Sequence, residues 1–226
     1  MSDIAIADYD TLVAAVKTWA VRSDSTFSAQ FPLFVTLAEN RIYNGHGQPG
    51  DDLYSAPLRT KVMEKSAAVT MSTASGTQDS QGDLPSDFLE ARGIFRPTDP
   101  VGLVYMPPQQ WDIQNASAIG GSPPYYYTTK ASTLYVTPGL DGDLTLTYFA
   151  RFAPVSASNE TGALIAEHGA VYFAACMLYA FSFMRDTQNA AMWLNEYRAT
   201  VDGLNRTAHA QRRGAQATRM YARAIG

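Results

Sequence analysis

The spacing between apolar residues changes twice along this chain, and that change restricts its fold more than any other feature. Over residues 9–21, Tyr9, Leu12, Val13, Val16 and Trp19 or Ala20 recur at the period of a helix, with Asp8 or Asp10 available as cap and first-turn acid. Ser23, Asp24 and Ser25 break it. A second helix is expected from near Ser28 or Gln30, with Phe31, Phe34, Leu37, Ala38, Arg41 and Ile42 on one face. Pro32 is tolerated in its first turn, where its missing N–H would be unpaired anyway. Asn44 and Gly45 stop this helix, and the run GHGQPGDD is a loop.

From about Leu58 to Phe152 the period moves toward 2, the alternation of a strand. Six runs read as strands: Lys61–Met71, Phe88–Arg96, Gly102–Met106, Pro124–Thr129, Thr133–Thr137 and Asp143–Phe152. A helical stretch near Pro107–Asn115 carries Trp111. The clearest hairpin is YVTPGLDGDLTLTYF, where Leu144, Leu146 and Tyr148 alternate with Thr145 and Thr147 after a turn at Pro138–Gly142. The helical period then returns. Residues 163–185 are apolar almost all round, with Tyr172, Phe173, Met177, Leu178, Phe181 and Phe183 as large contributors. A last helix from about Thr187 to Ala210 presents Ala190, Trp193, Leu194, Tyr197, Val201 and Leu204.

Apolar stripes at both ends need partners, and each end offers one to the other. The expected fold is therefore α+β: a helical bundle built from N- and C-terminal helices, with an inserted small antiparallel β domain and an extended C-terminal arm. The boundaries are read as 1–57 and 153–204 for the bundle, 58–152 for the insert and 205–226 for the arm.

Several classes are excluded. With 46% hydrophobic and 17% charged residues, the chain has apolar surface enough to offset the entropy of ordering. The apolar run Gly169–Met184 is shorter than the roughly 20 residues a bilayer needs, so it reads as a buried helix and no membrane role is expected. The start MSDIAIADYD has neither a basic nor an apolar signal region, so synthesis in the cytoplasm is expected. Cys176 has no partner cysteine, and His46, His168 and His209 are dispersed, which leaves no zinc cluster of the usual spacing.

Chemistry is equally sparse. The patterns of nucleophile elbows, phosphate loops, dinucleotide folds, zinc proteases and calcium loops are missing. Gly120, Gly121 and Ser122 lack the following helix that a phosphate loop requires. Cys176 lies among apolar neighbours and reads as a core thiol. His168, beside Glu167, reads as a boundary contact; Asp141 and Asp143 read as turn residues, and Asp51 and Asp52 as a solvated loop. No catalytic residue, cofactor site or metal site is assigned. Tyr125, Tyr126 and Tyr127 could stack sugars or bases, but alternation puts Tyr126 opposite the other two, so at least one belongs to the core.

Charge is uneven. Residues 1–204 hold 12 basic and 21 acidic side chains, whereas 205–226 hold Arg206, Arg212, Arg213, Arg219 and Arg223 with no acid. The body is thus at -9 and the tail at +5. Little in the tail can be buried, so it is expected to order on a partner; the alternative is a solvated continuation of the last helix, since Ala, Gln and Arg are good helix formers.

The order of parts resembles a known family. A helical pair, then LPSDFLEARGIF, LVYMPPQQWD, GGSPPYYY, TLYVTPGLDGDLTLTYFARFAPVS and ETGALIAEHGAVYFAACMLYAFSFMRD is similar to the head-to-tail adaptor, or connector, proteins of short-tailed bacteriophages and gene-transfer particles. The match runs from Tyr9 to Leu204, and departs from the family at Glu167, His168 and Gly169, where an acid or polar residue and Pro are frequent. The resemblance implies a structural, non-enzymatic virion protein of the neck. It would form a ring, usually of twelve copies, joining the portal to a tail nozzle or tail tube, with genome DNA passing through the lumen during ejection without sequence-specific binding. It also implies that the C-terminal segment reaches the portal, which assigns Arg206, Arg212, Arg213, Arg219, Tyr221, Arg223 and Ile225 to a portal-binding arm. Fully extended, the 22 residues from Asn205 to Gly226 would span at most about 75 Å. Two other readings stay open: a nucleic-acid-binding module acting through the basic arm, and a carbohydrate-binding tail module centred on Tyr125–Tyr127 and Trp111.

Overall fold

The computed structural model describes residues 6–73, 79–97, 99–115 and 125–223, including side chains except at 99–101, 114–115 and 212–223. The chain divides into two compact units, Met1–Met63 with Phe152–Gly226, and Glu64–Arg151. Helices occupy both ends and the β region is inserted between them.

The helical unit contains α1 (Tyr9–Trp19), α2 (Ser25–Ser28), α3 (Phe31–Asn44), a 3-10 turn at Lys61–Met63, α5 (Ala163–Phe183) and α6 (Thr187–Arg223). Asp8 caps α1 by accepting the Thr11 N–H at 2.8 Å, and the Thr11 hydroxyl accepts the Asp8 N–H in return. α5 packs against α1, α3 and α6, so its nearly all-round apolar character is spent inside the unit. It is long and apolar enough to cross a membrane by length and composition, yet Tyr172, Met177 and Ala180 are among its buried residues. Phe183 is 41% exposed and Trp19 is 63% exposed, although both fall in apolar stretches of the sequence. Trp19 instead lies edge-on over Phe173 and Trp193, with ring centroids 5.6 and 5.8 Å away. Leu58, expected to open the β domain, is fully buried in the helical unit, where its N–H donates to the Ile42 carbonyl.

The inserted unit is a curled sheet of eight strands, ordered β4-β3-β8-β1-β2-β7-β6-β5. The strands are β1 (Glu64–Thr73), β2 (Ser80–Asp83), β3 (Phe88–Arg96), β4 (Asp99–Gly102), β5 (Val104–Tyr105), β6 (Tyr126–Lys130), β7 (Thr133–Thr137) and β8 (Gly142–Ala150), with α4 (Pro108–Asn115) between β5 and β6. β1 and β8 run antiparallel from Glu64 opposite Phe149 to Met71 opposite Gly142. Val69, Ile94, Leu134, Val136, Leu144 and Leu146 belong to its core.

Two expectations need correction. The sheet is mixed rather than antiparallel throughout, because β5 and β6 pair in parallel at Val104 with Tyr126 and Tyr105 with Tyr127. Parallel neighbours need a crossover, commonly helical, and α4 supplies it. The described residues form eight strands rather than six. β2, with the sequence Ser-Gln-Gly-Asp, has no apolar alternation to announce it; it is held by pairing to β1 on one side and β7 on the other.

Candidate functional site

The arm expected from Asn205 onward has a helical backbone through Arg223, as part of α6. The alternative of a continued helix therefore describes its backbone, and no independent extended segment begins at Asn205. The first residues of the arm are tied into the helical unit. The Asn205 side chain accepts the Arg59 N–H at 2.8 Å and donates to the Pro57 carbonyl at 2.9 Å. Ala208 is buried, while Arg206 is exposed with its Nε donating to the Asp202 carbonyl. Arg212, Arg213, Arg219, Tyr221 and Arg223 stand on the same helix, and Ile225 lies outside the described residues.

Beside the root of this segment is a groove of about 450 Å³, lined by Thr60, Lys61, Glu167, His168, Thr207 and Gln211 among others. α5 bends here: His168 has φ -126° and ψ 39°, outside helical values. Its ring Nε2 lies 3.2 Å from the Thr60 hydroxyl, and burial pushes its pKa below the ordinary histidine value despite the nearby Glu167 carboxylate. Gly169 follows because the chain's own N-terminal segment crosses at this point. A Cβ on Gly169 would stand 2.0 Å from the Ile6 carbonyl oxygen. The departure from the family pattern at Glu167, His168 and Gly169 coincides with this bend.

Glu39, Arg41 and Arg198 are bonded within the helical unit. Glu39 is 7% exposed and accepts the Val155 N–H at 2.9 Å and the Tyr172 hydroxyl at 3.4 Å. Arg41 donates to the Tyr179 hydroxyl, the Ser55 hydroxyl and the Leu53 carbonyl. Arg198 donates to the carbonyls of Tyr54 and Asp52. Two arginines thus fasten the glycine-rich loop after α3, whose strands of backbone also pair at His46 and Ser55. Arg41 fell on a predicted apolar face, and the signal that could have revealed its task was the absence of any acidic residue one helical turn away.

Among the described residues, no reactive group is assembled with partners that would activate it. Cys176 is fully buried, and burial followed by the Glu39 charge pushes its thiol far above the ordinary range. Among the described residues, no cluster of three or more His, Cys, Asp and Glu side chains could hold a metal ion. Asp143 accepts the Thr70 hydroxyl and Asp141 accepts the Thr73 N–H, which are turn and strand contacts. Asp87 joins Lys65 at 2.7 Å and the Tyr148 hydroxyl at 2.8 Å; burial, then this bond, pushes the Tyr148 hydroxyl up to about 12. Gly120, Gly121 and Ser122 lie outside the described residues.

One member of the aromatic cluster belongs to the core, as expected, but Tyr125 does not share the burial of Tyr127 and lies before β6 begins. Tyr127 is in the sheet core and Tyr125 and Tyr126 are half-buried, with the Arg96 guanidinium 5.0 Å from the Tyr125 ring centre. Trp111 is only 2% exposed and packs near Tyr135, so it offers no open platform for a sugar.

What the described surfaces do offer is a helix with an arginine-only end on a body without assembled chemistry. Residues 7–221 match the family model described as SU10 adaptor protein. The chain belongs to the SU10 adaptor family. No curated protein matches the sequence. SU10 adaptors are phage head-to-tail adaptors, structural components of the virion neck that work with portal and tail proteins in an oligomeric assembly. In this adaptor the match spans both units and all but the last described residues of α6.

Proposed function

We propose that this adaptor is a ring subunit, in twelve copies, that joins the portal to a tail nozzle or tail tube and binds the portal through the arginine-bearing end of α6. The observation that carries the reading is the continuity of α6. One helix is anchored in the unit's core by Trp193, Tyr197 and Val201 and runs on into a segment with five arginines and no acid. The -9 balance of residues 1–204 supports a lumen through which genome DNA slides during ejection, because phosphate binding is driven by Lys and Arg displacing counterions. Ring and contact surfaces suffice for this task, and no catalytic step is assigned.

The test is co-sedimentation with purified portal rings. A chain ending at Gln211 removes four of the five arginines, Arg212, Arg213, Arg219 and Arg223, yet keeps Asn205 and Ala208, which belong to the helical unit. The full chain is expected to pellet with portal and the shortened chain to stay in the supernatant with an unchanged melting temperature. Pelleting of the shortened chain would overturn the assignment. The mass of the complex, measured by native mass spectrometry, is expected to correspond to twelve copies.

A further inference from the structure

α1 ends in a turn whose central place ordinarily goes to glycine. The Val21 N–H donates to the Thr18 carbonyl at 3.3 Å and the Arg22 N–H to the Lys17 carbonyl at 3.1 Å, the two bonds that close a helix around a left-handed residue. That residue is Val21, at φ 52°. A β-branched side chain is strained in this conformation, and Val21, 90% exposed, recovers nothing by burial in its own chain. Two residues earlier, the exposed Trp19 rests edge-on over Phe173 and Trp193, whose rings stand 5.3 Å apart, so its indole is held in place. Lys17 and Arg22 bracket this apolar knob in sequence, and residues 17–22 carry no acid, a charge of +2.

A second exposed apolar residue stands on a different side of the same helical unit. The 45–57 loop presents Leu53, 58% exposed, beside the exposed Asp51 and Asp52, and with no Lys or Arg it carries -2. Arg41 and Arg198 fasten its backbone. On α5, Phe173 lies under the knob and Tyr179 holds Arg41 toward the loop; six positions apart, they point about 120° apart. On α6, Trp193 and Arg198 are five positions apart and point about 140° apart. A hollow of about 230 Å³ lies next to the loop, lined by Asp51, Tyr54, Arg198 and Asp202 among others.

We infer that the knob and the loop are the two halves of one contact between neighbouring copies of this chain. Trp19 and Val21 of one copy pack on Leu53 of the next, where Arg22 faces the carboxylates of Asp51, Asp52 and Asp202. The inference rests on the reading of this adaptor as a ring subunit, and names the surfaces that close the ring. A ring is built from heterologous contacts, in which two different patches on separate sides of each subunit meet. The knob is apolar with a basic border and the loop apolar with an acidic one, the complementarity that steers such a contact and rejects its alternatives. Two knobs face to face would bring Lys17 and Arg22 of both copies together, and two loops would oppose Asp51 and Asp52. Arg22 spends its Nε on Asp24 at 2.6 Å, which leaves its two terminal nitrogens for the next copy. Both surfaces are held by their own subunit before they meet, so docking orders little, and a tryptophan set in such a contact is a residue type that dominates interface energies. The strain at Val21 then has a return, because the conformation that costs the free subunit turns this side chain outward to be covered.

The experiment mixes two full-length variants, Val21→Cys and Leu53→Cys, with purified portal rings, oxidises the complex with copper phenanthroline and separates the chains on a denaturing gel without reductant. Cys176 is fully buried and stays out of the reaction. A disulfide needs Cα atoms within about 7 Å, so the mixture is expected to give a dimer of the two variants, and neither variant alone should cross-link. Native mass spectrometry of the same complex counts the copies. Several copies on the portal without a mixed dimer would overturn the contact of knob and loop and leave the ring in place. A single copy would overturn the ring, and this contact with it. A dimer formed by Val21→Cys alone would assign the knob to a symmetric contact and overturn the inference as well. Val21→Gly separates the interface from the fold. Glycine relieves the left-handed strain, so the isolated chain is expected to melt roughly 2–4 °C higher. The concentration at which copies assemble on the portal is expected to rise about 10-fold through lost apolar contact, and an unchanged concentration would overturn the place of Val21 in the contact.

Discussion

Replacing Gly169 by Ala sets two effects of opposite sign against each other at one position. In an open helix the change should stabilise by up to about 1 kcal/mol, because Ala has the higher helix propensity. At Gly169 the new Cβ would lie 2.0 Å from the Ile6 carbonyl oxygen and 2.9 Å from the Ile6 Cβ. The backbone at Ile6 must retreat by about 1 Å to reach even the shortest tolerated contact of 3.0 Å. Ile6 is three residues from Tyr9, whose N–H donates to the Glu160 carbonyl at 2.9 Å, and two from Asp8, which bridges to Thr161. Overpacking of this kind costs about 1–3 kcal/mol, and a hydrogen bond lost as the segment lifts would add about 1 kcal/mol. Less the propensity gain, Gly169→Ala should destabilise by about 1–3 kcal/mol. For a chain of this length that lowers the melting temperature by roughly 3–10 °C. Gly203, in α6, supplies the control. Nothing stands within 4 Å of a Cβ there, so Gly203→Ala should raise stability by up to about 1 kcal/mol. Thermal scans followed by circular dichroism at the helical band compare the two. If Gly169→Ala melted at or above the parent temperature, the close crossing of the N-terminal segment over α5 would be refuted.

Two further outcomes follow from the helical unit. Arg41→Ala removes a guanidinium that donates to Tyr179, Ser55 and Leu53, and should cost about 1.5–3 kcal/mol in urea unfolding while making the 45–57 loop a site of limited proteolysis; unchanged cleavage would discount the fastening role. His168 is held neutral by burial, its folded pKa lying below the unfolded value of 6.5. The unfolded chain therefore takes up the proton first, so stability should fall as pH drops below about 6.5 toward the folded pKa and be flat above it. His168→Gln should flatten that part of the profile between pH 7.5 and 5.5, and an identical slope in the variant would show that other groups set it.

The legible parts of this fold were those in which one periodic signal acts alone. α1, α3, α5 and α6 follow from their apolar spacing, and β3 and β7 from alternation and flanking turns. β2 was illegible because its residues are polar and its place is decided by two neighbours at a distance in sequence, with Gly82 pressed to where a Cβ would lie 2.7 Å from the Thr70 carbonyl. The parallel pairing of β5 with β6 was hidden for the same reason: two residues cannot declare a direction, and the connection that carries α4 lies between them in sequence. At the candidate site, the charge of the arginines could be read directly, but their backbone could not. Composition argued for a segment with little to bury, whereas helix propensity and continuity with a well-packed helix argued for extension, and in α6 the second pair prevails. The bend at His168 was invisible because the backbone that passes close to the adjoining Gly169, at Ile6, is more than 150 residues away in sequence.

The antiparallel pairing of β1 with β8 brings Glu64 opposite Phe149, so the β unit begins and ends on neighbouring rungs of one ladder. Adjacent strands lie about 4.7–4.9 Å apart, and to the helical framework such an excursion is topologically a hairpin, however many residues it contains. The entropy of closing a loop grows only logarithmically with its length, so lengthening, shortening or exchanging the material beyond those two rungs perturbs the framework little. This geometry makes the β unit a cassette: lineages of such proteins can refashion the surface it presents while the scaffold that carries the arginine helix keeps its packing.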